Sequence, residues 1–287
     1  MKSRSSLIGP YLVNQQTKLI MMSKRIIGFL LLAVVVLALE SCSGKKNGND
    51  LELSKEDVVK DVIKYPIPTP DEINDALNKA KANYIIALCN PVEKVDMYIT
   101  DKDKALNLGV YGANLSYSST YGMKQETLKY LQVSKKLVDE LQISTEFNKE
   151  FAERVQQNID NKDSLTNIIS NSYFDTYAFL QNNGKDYLSI LVMTGSWVEG
   201  VYTTVEIAKS TPKNELFLKV IANQKRTLAK LLELMEDNKE SSNVESAIEL
   251  LYPIKKAFEP VVDENLTPQQ FEDISKAVLS VRKKIVM

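Results

Sequence analysis

The sequence contains no histidine, and this absence removes several classes of catalytic and metal site. Histidine is the commonest general base near neutral pH and the commonest metal ligand in proteins. Without it the chain cannot form a Ser-His-Asp or Cys-His nucleophile, an HExxH zinc site, the Glu-x-x-His pairs of a di-iron bundle or a His-ligated haem. Mechanisms that use carboxylates alone, as in glycosidases, or a Ser/Lys pair remain open.

Glycine is also scarce, with 10 residues in 287, and no strand-type alternation of useful length appears. Both observations disfavour a β-sandwich, which needs many turns and a period of two. The apolar content of 44% and the charged content of 25% are those of a globular protein, so they argue against disorder along the whole length.

The chain has no excess of basic residues outside its N-terminus. Residues 1–41 hold five basic residues and one acid, and the remainder has 31 basic and 36 acidic residues. Nucleic-acid phosphates require a basic surface, so we predict no nucleic-acid partner.

The N-terminal segment has the layout of a secretory signal. Lys24 and Arg25 precede an unbroken apolar run of 14 residues, IIGFLLLAVVVLAL, at 26–39. Spanning a bilayer requires about 20 residues, and a core helix would be expected to show a polar face. We therefore predict that residues 1–41 are a signal peptide with an upstream extension, the signal itself beginning at Met21 or Met22.

The next residues, 39–43, resemble the lipobox at which bacterial lipoproteins are cleaved and acylated. Leu39 and Ser41 match its pattern, whereas Glu40 departs from the small or aliphatic residue usual there. The resemblance implies that Cys42 carries lipid such as palmitate, and Ser43 in place of Asp favours the outer membrane, at its periplasmic or surface face. The stretch SGKKNGND at 43–50 is polar and contains two glycines, so we predict that residues 42–53 are a flexible tether.

If Cys42 is acylated, Cys89 is the only thiol left, and no intramolecular disulfide can form. Cys89 ends the apolar-rich segment ANYIIALC. We interpret it as a small buried hydrophobe rather than a reactive thiol, because no histidine is present to activate it.

Residues 54–287 carry repeated helix-start signals and predict a single all-α domain, an antiparallel bundle of about nine helices. Alternate prolines at 65–70 predict an extended segment. Helix starts are expected at Ser54 with Asp57, at Thr69-Pro70 for a helix running to about Leu88, at Asn90-Pro91, at Thr100 with Asp103, at Thr211-Pro212 and at the capping box from Thr267 to Gln270.

Between these signals apolar residues recur at spacings of three and four. Two of the stripes include hydroxyl residues: Leu128, Leu131, Ser134, Leu137, Val138 and Leu141; and Leu165, Ile168, Ile169, Ser172, Tyr173, Thr176, Tyr177 and Leu180. This is the period of one buried face of a helix. The second stripe is expected to end at Asn183-Gly184, where glycine can adopt the left-handed cap conformation.

Small residues at helical spacing mark two further segments, one with Gly109 and Gly112 and one with Gly195 and Gly200. Glycine weakens a helix by roughly 1 kcal/mol relative to alanine, so its presence indicates that two helix backbones approach closely there. Aligning Gly112 with Gly195 makes residues 100–142 and 185–237 look like two related helical halves.

The densest polar and aromatic segment, YGANLSYSSTY at 111–121, is the candidate ligand groove. It supplies Tyr111, Tyr117 and Tyr121, and Trp197 lies in the matching second segment. Aromatic rings with hydroxyl tips suit a sugar, a peptide or another small neutral ligand. The alternative is a buried helix whose serines bond back to carbonyls one turn earlier.

Acidic residues offer little evidence of catalysis. Glu199 and Glu206 share a helix face at a separation of seven, which is typical of a solvated face, and Asp175 lies in the aromatic run SYFDTYAFL, where burial would raise its pKa. We predict no catalytic residue, no metal site and no cofactor.

Three stretches, at 90–100, 104–144 and 266–286, resemble a family of all-helical lipoproteins of Bacteroidota that has no assigned activity. They cover about half of the mature chain. The resemblance implies a helical fold and an envelope location, and it supplies no catalytic residue.

These observations lead to two functional hypotheses. The first is a non-catalytic binding or scaffold module of the cell envelope, attached to the membrane through lipid on Cys42, whose partner is an envelope protein or a small neutral ligand. The second is a hydrolase of envelope or dietary glycans that uses carboxylates alone.

Overall fold

The structure is a computed structural model that describes residues 76, 77, 79, 82–143, 145–211, 215–262 and 264–287. All of them belong to one compact unit, Ser54–Met287. The predicted signal peptide, the lipidation site Cys42, the tether, the helix start at Ser54 and the extended segment at 65–70 lie outside the described residues.

The described residues form eight α-helices and no strand, which confirms the predicted all-α class. Helical residues around Ala76 bring the α-helices to the expected nine. Two short 3-10 helices, Ile86–Leu88 and Val92–Met97, precede the first of the eight. In chain order the α-helices are α1 Asp101–Thr120, α2 Lys124–Glu140, α3 Thr145–Gln157, α4 Lys162–Asn182, α5 Asp186–Ser210, α6 Glu215–Glu236, α7 Ser242–Phe258 and α8 Pro268–Ile285.

Several helix ends lie where the local signals predict them. The Thr100 hydroxyl accepts a hydrogen bond from the Asp103 amide at the start of α1, and Thr267 with Gln270 forms a complete capping box at the start of α8. Gly184, just after α4, has a φ of +66°, the left-handed conformation that glycine adopts readily after a helix. These confirmed ends depend on residues within one turn of each other.

The helix predicted to run from Pro70 to about Leu88 is wrong in its second half. Residues 82–85 are not helical, and Ile85 has extended backbone angles of φ −123° and ψ 93°. The Ile85 amide donates to the Tyr117 hydroxyl at 3.0 Å, and the Leu88 carbonyl accepts from Arg282 at 3.0 Å. These bonds to distant residues hold the segment against the bundle in place of the helical bonds.

Two central helices, α1 and α5, organise the bundle. They pack on each other, α2 and α4 pack against α1, and α6, α7 and α8 pack against α5, with α3 between α2 and α4. Along the central pair, Gly109 lies against Val192 and Ser196, and Asn114 donates to Glu199. None of the helices in the described part of the chain is long and apolar enough to cross a membrane.

Two of the four glycines of the central pair, Gly109 and Gly195, lie where the two backbones touch, which confirms the predicted close approach at these two positions. A Cβ at Gly109 would lie 2.0 Å from the Val192 carbonyl oxygen, and a Cβ at Gly195 would lie 1.8 Å from the Leu106 carbonyl oxygen. Real Cβ atoms do not approach backbone oxygens this closely. Only glycine therefore permits this crossing at both positions.

Candidate functional site

The candidate groove residues Tyr111 and Tyr117 are buried in the bundle core. The Tyr111 hydroxyl donates to the Pro91 carbonyl at 2.9 Å, and the Tyr117 hydroxyl accepts from the Ile85 amide at 3.0 Å. Both hydroxyls thus fix the chain that precedes α1 onto the helix.

The remaining polar residues of α1 show the geometry of the packing alternative. Ser118 and Ser119 donate to carbonyls three residues earlier, and Thr120 donates to the Ser116 carbonyl four residues earlier. Tyr121 is half-buried and meets Tyr117 edge to face, with ring centroids 5.2 Å apart. Its hydroxyl oxygen is buried without a hydrogen-bond partner, and burial raises the pKa of Tyr121 to about 12.

Trp197 lies in a different environment from the three tyrosines. It is buried in α5, and its indole Nε1 donates to the Gln224 side chain of α6 at 3.0 Å. The structure therefore brings Tyr117 and Tyr121 together and uses Trp197 to join α5 to α6.

Glu199 of α5 is a charged residue that is completely buried, with a relative exposure of 0%. The interpretation that it shares a solvated face with Glu206 is wrong for Glu199. Glu206 is partly exposed and pairs with Lys209 at 2.8 Å, as a surface acid does. The two glutamates lie seven residues apart on one helix. Their different tertiary contacts bury Glu199 and leave Glu206 partly exposed.

Three hydrogen bonds satisfy the Glu199 carboxylate. Arg282 of α8 donates from Nε to Oε2 at 2.6 Å and from Nη2 to Oε1 at 3.0 Å, and Asn114 of α1 donates to Oε1 at 2.8 Å. The Arg282 guanidinium also lies over the Tyr202 ring, 4.1 Å from its centroid. Bidentate pairs of this kind are among the strongest ion pairs in proteins. The pair joins α5 to α8, and the Asn114 hydrogen bond adds α1.

The network continues into the segment before α1. The Asn114 side-chain oxygen accepts from the Asn90 amide at 2.9 Å, and the Asn90 side-chain nitrogen donates to the Tyr98 hydroxyl at 2.8 Å. Burial acts to lower the pKa of Arg282, but the hydrogen bonds and charge of Glu199 outweigh it and raise that pKa. The network thus connects α1, α5, α8 and the segment before α1, and within it the charge of Arg282 balances that of Glu199.

Cys89 lies beside this network and is buried, as the sequence indicated. Burial raises the pKa of its thiol to about 11. The thiol is therefore protonated at physiological pH. Because only the thiolate is nucleophilic, Cys89 is unreactive in the folded protein. Asp175, the acid expected to be buried, is exposed instead.

On the opposite side of the central pair, five helices enclose a cavity of about 90 Å³, which we call the five-helix cavity. Its walls are mostly aliphatic and aromatic: Leu108, Gly112 and Leu115 of α1; Leu131, Ser134, Lys135 and Val138 of α2; Phe151 and Ala152 of α3; Ile169, Ser172, Thr176, Tyr177 and Leu180 of α4; and Ser189, Val192, Met193 and Ser196 of α5.

Ser134 is the polar group on this wall whose hydrogen-bonding capacity is unused. It is 9% exposed, and its Oγ is buried without a hydrogen-bond partner. Ser172 and Ser189, on other walls, each donate to a carbonyl of their own helix at 2.6 Å. Buried hydroxyls are nearly always paired, so an unpaired one at an apolar cavity indicates room for a ligand group.

A second depression, of about 350 Å³, lies between α6 and the chain after α7. Its lining includes one acid, Glu264, together with Lys225, which donates to the carbonyls of Glu259 and Val261. Within the described residues no group of three or more acidic or cysteine side chains is placed to hold a metal ion.

Comparison of the chain with protein-family models, with curated proteins and with solved structures finds no match. The resemblance to helical lipoproteins therefore stays a prediction.

Neither the Glu199–Arg282 pair nor the five-helix cavity was predicted from the sequence. For both, the sequence contains a polar residue that interrupts an apolar pattern. Glu199 is an isolated acid in the apolar stretch SWVEGV, and Ser134, Ser172 and Thr176 are hydroxyl residues on otherwise apolar stripes. Such exceptions to a buried periodicity identify candidate residues without showing which partner or space they meet.

Proposed function

We propose that the protein is a lipoprotein of the bacterial cell envelope, anchored through Cys42, and that its helical domain is a non-catalytic binding module. Its ligand site in this proposal is the five-helix cavity. The observation that carries the proposal is the Ser134 hydroxyl, buried and unpaired on the wall of an apolar cavity. Such a cavity with few polar groups is the usual form of a small-molecule site.

The anchor is supported by the sequence around Cys42. A basic pair, a short apolar run and a cysteine preceded by Leu39 and Ser41 follow one another in the order that lipoprotein processing requires. Lipid on Cys42 would hold the domain at a membrane surface, with the polar tether between them.

Metabolic labelling tests the anchor. Bacteria expressing the full chain are grown with an alkyne-bearing palmitate, and label on the protein is measured after gel separation. We expect Cys42→Ser to lose the label and Cys89→Ser, the matched control, to keep it. Equal labelling of the two variants would exclude acylation at Cys42.

The geometry gives no support to the glycan hydrolase. Such enzymes place two carboxyl groups about 5 to 9.5 Å apart across the substrate. Among the residues that the structure describes, the wall of the five-helix cavity has no acid, and the lining of the depression beside α6 has Glu264. Glu199 is engaged by Arg282 and Asn114 and lines neither space.

Ligand extraction tests the binding site. The full chain is purified from membranes, and its organic extract is compared by mass spectrometry with that of Ser196→Leu, which fills the cavity from α5. Gln132→Leu, on the exposed face of α2, is the control. We expect one compound to accompany the wild type and the control and to be absent from Ser196→Leu. Identical extracts from all three proteins would contradict the proposal.

A further inference from the structure

We propose that the ligand of the five-helix cavity is a single-chain aliphatic monocarboxylate, its chain between the apolar walls and its carboxylate at Lys135. This assignment rests on the proposed binding function and names the ligand class of the same site.

The cavity has a buried end and an exposed end. Leu115, Ile169 and Leu180 on its walls are buried, whereas Lys135 is exposed. Phe151 of α3 is half-buried. Gly112, Ser172 and Ser196 on other walls are half-buried too, so among the described lining residues Lys135 alone is exposed. A ligand with its chain between the buried residues therefore places its polar end at Lys135.

Ser134 and Lys135 are consecutive residues on α2, and both line the cavity. The Ser134 hydroxyl has a hydrogen bond to donate, and the Lys135 ammonium supplies positive charge at the exposed end. No acid stands among the described residues of the wall to neutralise that charge. The combination of a hydroxyl donor and an ammonium group suits an anionic acceptor such as a carboxylate better than an alcohol or an amine.

The size of the cavity favours a slim ligand. Its volume of about 90 Å³ exceeds by several times what one water occupies, roughly 10 to 15 Å³. It is smaller than the cavity of roughly 150 Å³ that admits a benzene ring. An aliphatic chain has the narrower cross-section and matches the Leu, Ile, Val and Met side chains around it.

Photo-crosslinking tests the assignment on the full chain, reconstituted in phosphatidylcholine nanodiscs. The probes are pentanoic acid and pentanol, whose short chains suit the small cavity, each with a diazirine near the far end of its chain, and labelled peptides are identified by mass spectrometry. The ratio of acid labelling to alcohol labelling is compared among wild type, Lys135→Gln and Lys129→Gln. Lys129 is exposed on the same helix, is not on the cavity wall and gives the same change in charge.

We expect both probes to label peptides at the buried end, around Leu115 and Leu180. Lys135→Gln should lower the acid-to-alcohol ratio about two- to fivefold, the effect of one partly exposed ionic contact, and Lys129→Gln should leave it unchanged. Ser134→Ala should lower acid labelling about two- to tenfold, because one hydrogen bond is lost.

The two proposals fail in different ways. If Ser196→Leu abolishes labelling by both probes but Lys135→Gln does not change their ratio, the carboxylate assignment is overturned and the binding site stands. If neither probe labels the cavity peptides, or if labelling survives Ser196→Leu, both are overturned. Ala152→Leu, which fills the cavity from α3, replaces Ser196→Leu should that variant not fold.

Discussion

Glu199 of α5 and Arg282 of α8 form a buried bidentate ion pair, although 83 residues separate them in the chain. The carboxylate is fully enclosed, and Asn114 of α1 completes its hydrogen bonds. One pair therefore connects both central helices to the C-terminal helix. Removing either charge leaves the other buried without compensation.

We expect Glu199→Ala to lower the free energy of unfolding by about 3 to 5 kcal/mol, because the Arg282 guanidinium loses its counter-charge in the core. Urea unfolding followed by circular dichroism measures this. Glu206→Gln, two turns along the same helix and partly exposed, is the control and should change stability by no more than about 0.5 kcal/mol. Similar values for the two variants would show that the pair does not hold the core together.

Gly195→Ala should destabilise the protein, although alanine is the better helix former. A Cβ there would lie 1.8 Å from the Leu106 carbonyl oxygen, so α1 and α5 must separate. We expect a loss of about 1 to 3 kcal/mol or more, as for other overpacked sites. Gly184→Ala has open space around it and a φ of +66°, so its cost of about 1 kcal/mol should be conformational alone. A gain in melting temperature for Gly195→Ala would contradict the close approach.

Ser134→Ala and Ser189→Ala should change stability in different ways, although both serines are buried on the cavity wall. Ser134→Ala removes a hydroxyl without a partner, so we expect an unchanged or slightly higher unfolding free energy. Ser189→Ala removes a hydrogen bond to the Asp186 carbonyl and should cost about 0.5 to 1.5 kcal/mol. Thermal unfolding of the ligand-free proteins compares them, and an equal loss in both would show that Ser134 has a partner in solution.

The thiol of Cys89 makes stability sensitive to alkaline pH. Its pKa rises from 9.0 to about 11 on folding, so the folded state holds the proton more tightly. The resulting stability is complete below pH 9 and is lost as pH rises through 11, with a total of roughly 2 to 3 kcal/mol. We expect the unfolding free energy to fall less between pH 8 and 11 in Cys89→Ala than in wild type. Parallel pH profiles would indicate an exposed thiol.

The same burial predicts low reactivity. In a Cys42→Ser background, where Cys89 is the only thiol, a disulfide reagent at pH 8 should react with the folded protein much more slowly than with the urea-unfolded protein. Equal rates would contradict the buried position.

Local signals predicted much of this fold. The caps at Thr100 and Thr267, the end of α4 at Gly184 and the apolar stripes of α2 and α4 involve residues within one or two turns of each other, and the structure has them as expected. The close approach of α1 and α5 was also predicted, because several glycines in a helix need a reason that only a neighbouring backbone provides. The error between Ala82 and Leu88 arose where contacts with Tyr117 and Arg282 replace helical hydrogen bonds.

The amino-acid sequence thus fixes the helical class, several helix ends and the contact between α1 and α5 at Gly109 and Gly195, since period, capping and side-chain size act over short distances. Only the tertiary structure decided that Glu199 is buried while Glu206 meets solvent, and that Ser134 borders a cavity while Ser118 bonds within its helix. The burial of a charge or a hydroxyl depends on partners from distant helices, such as Arg282, and on the volume that packed helices leave unfilled. Neither quantity is encoded in the residues next to it.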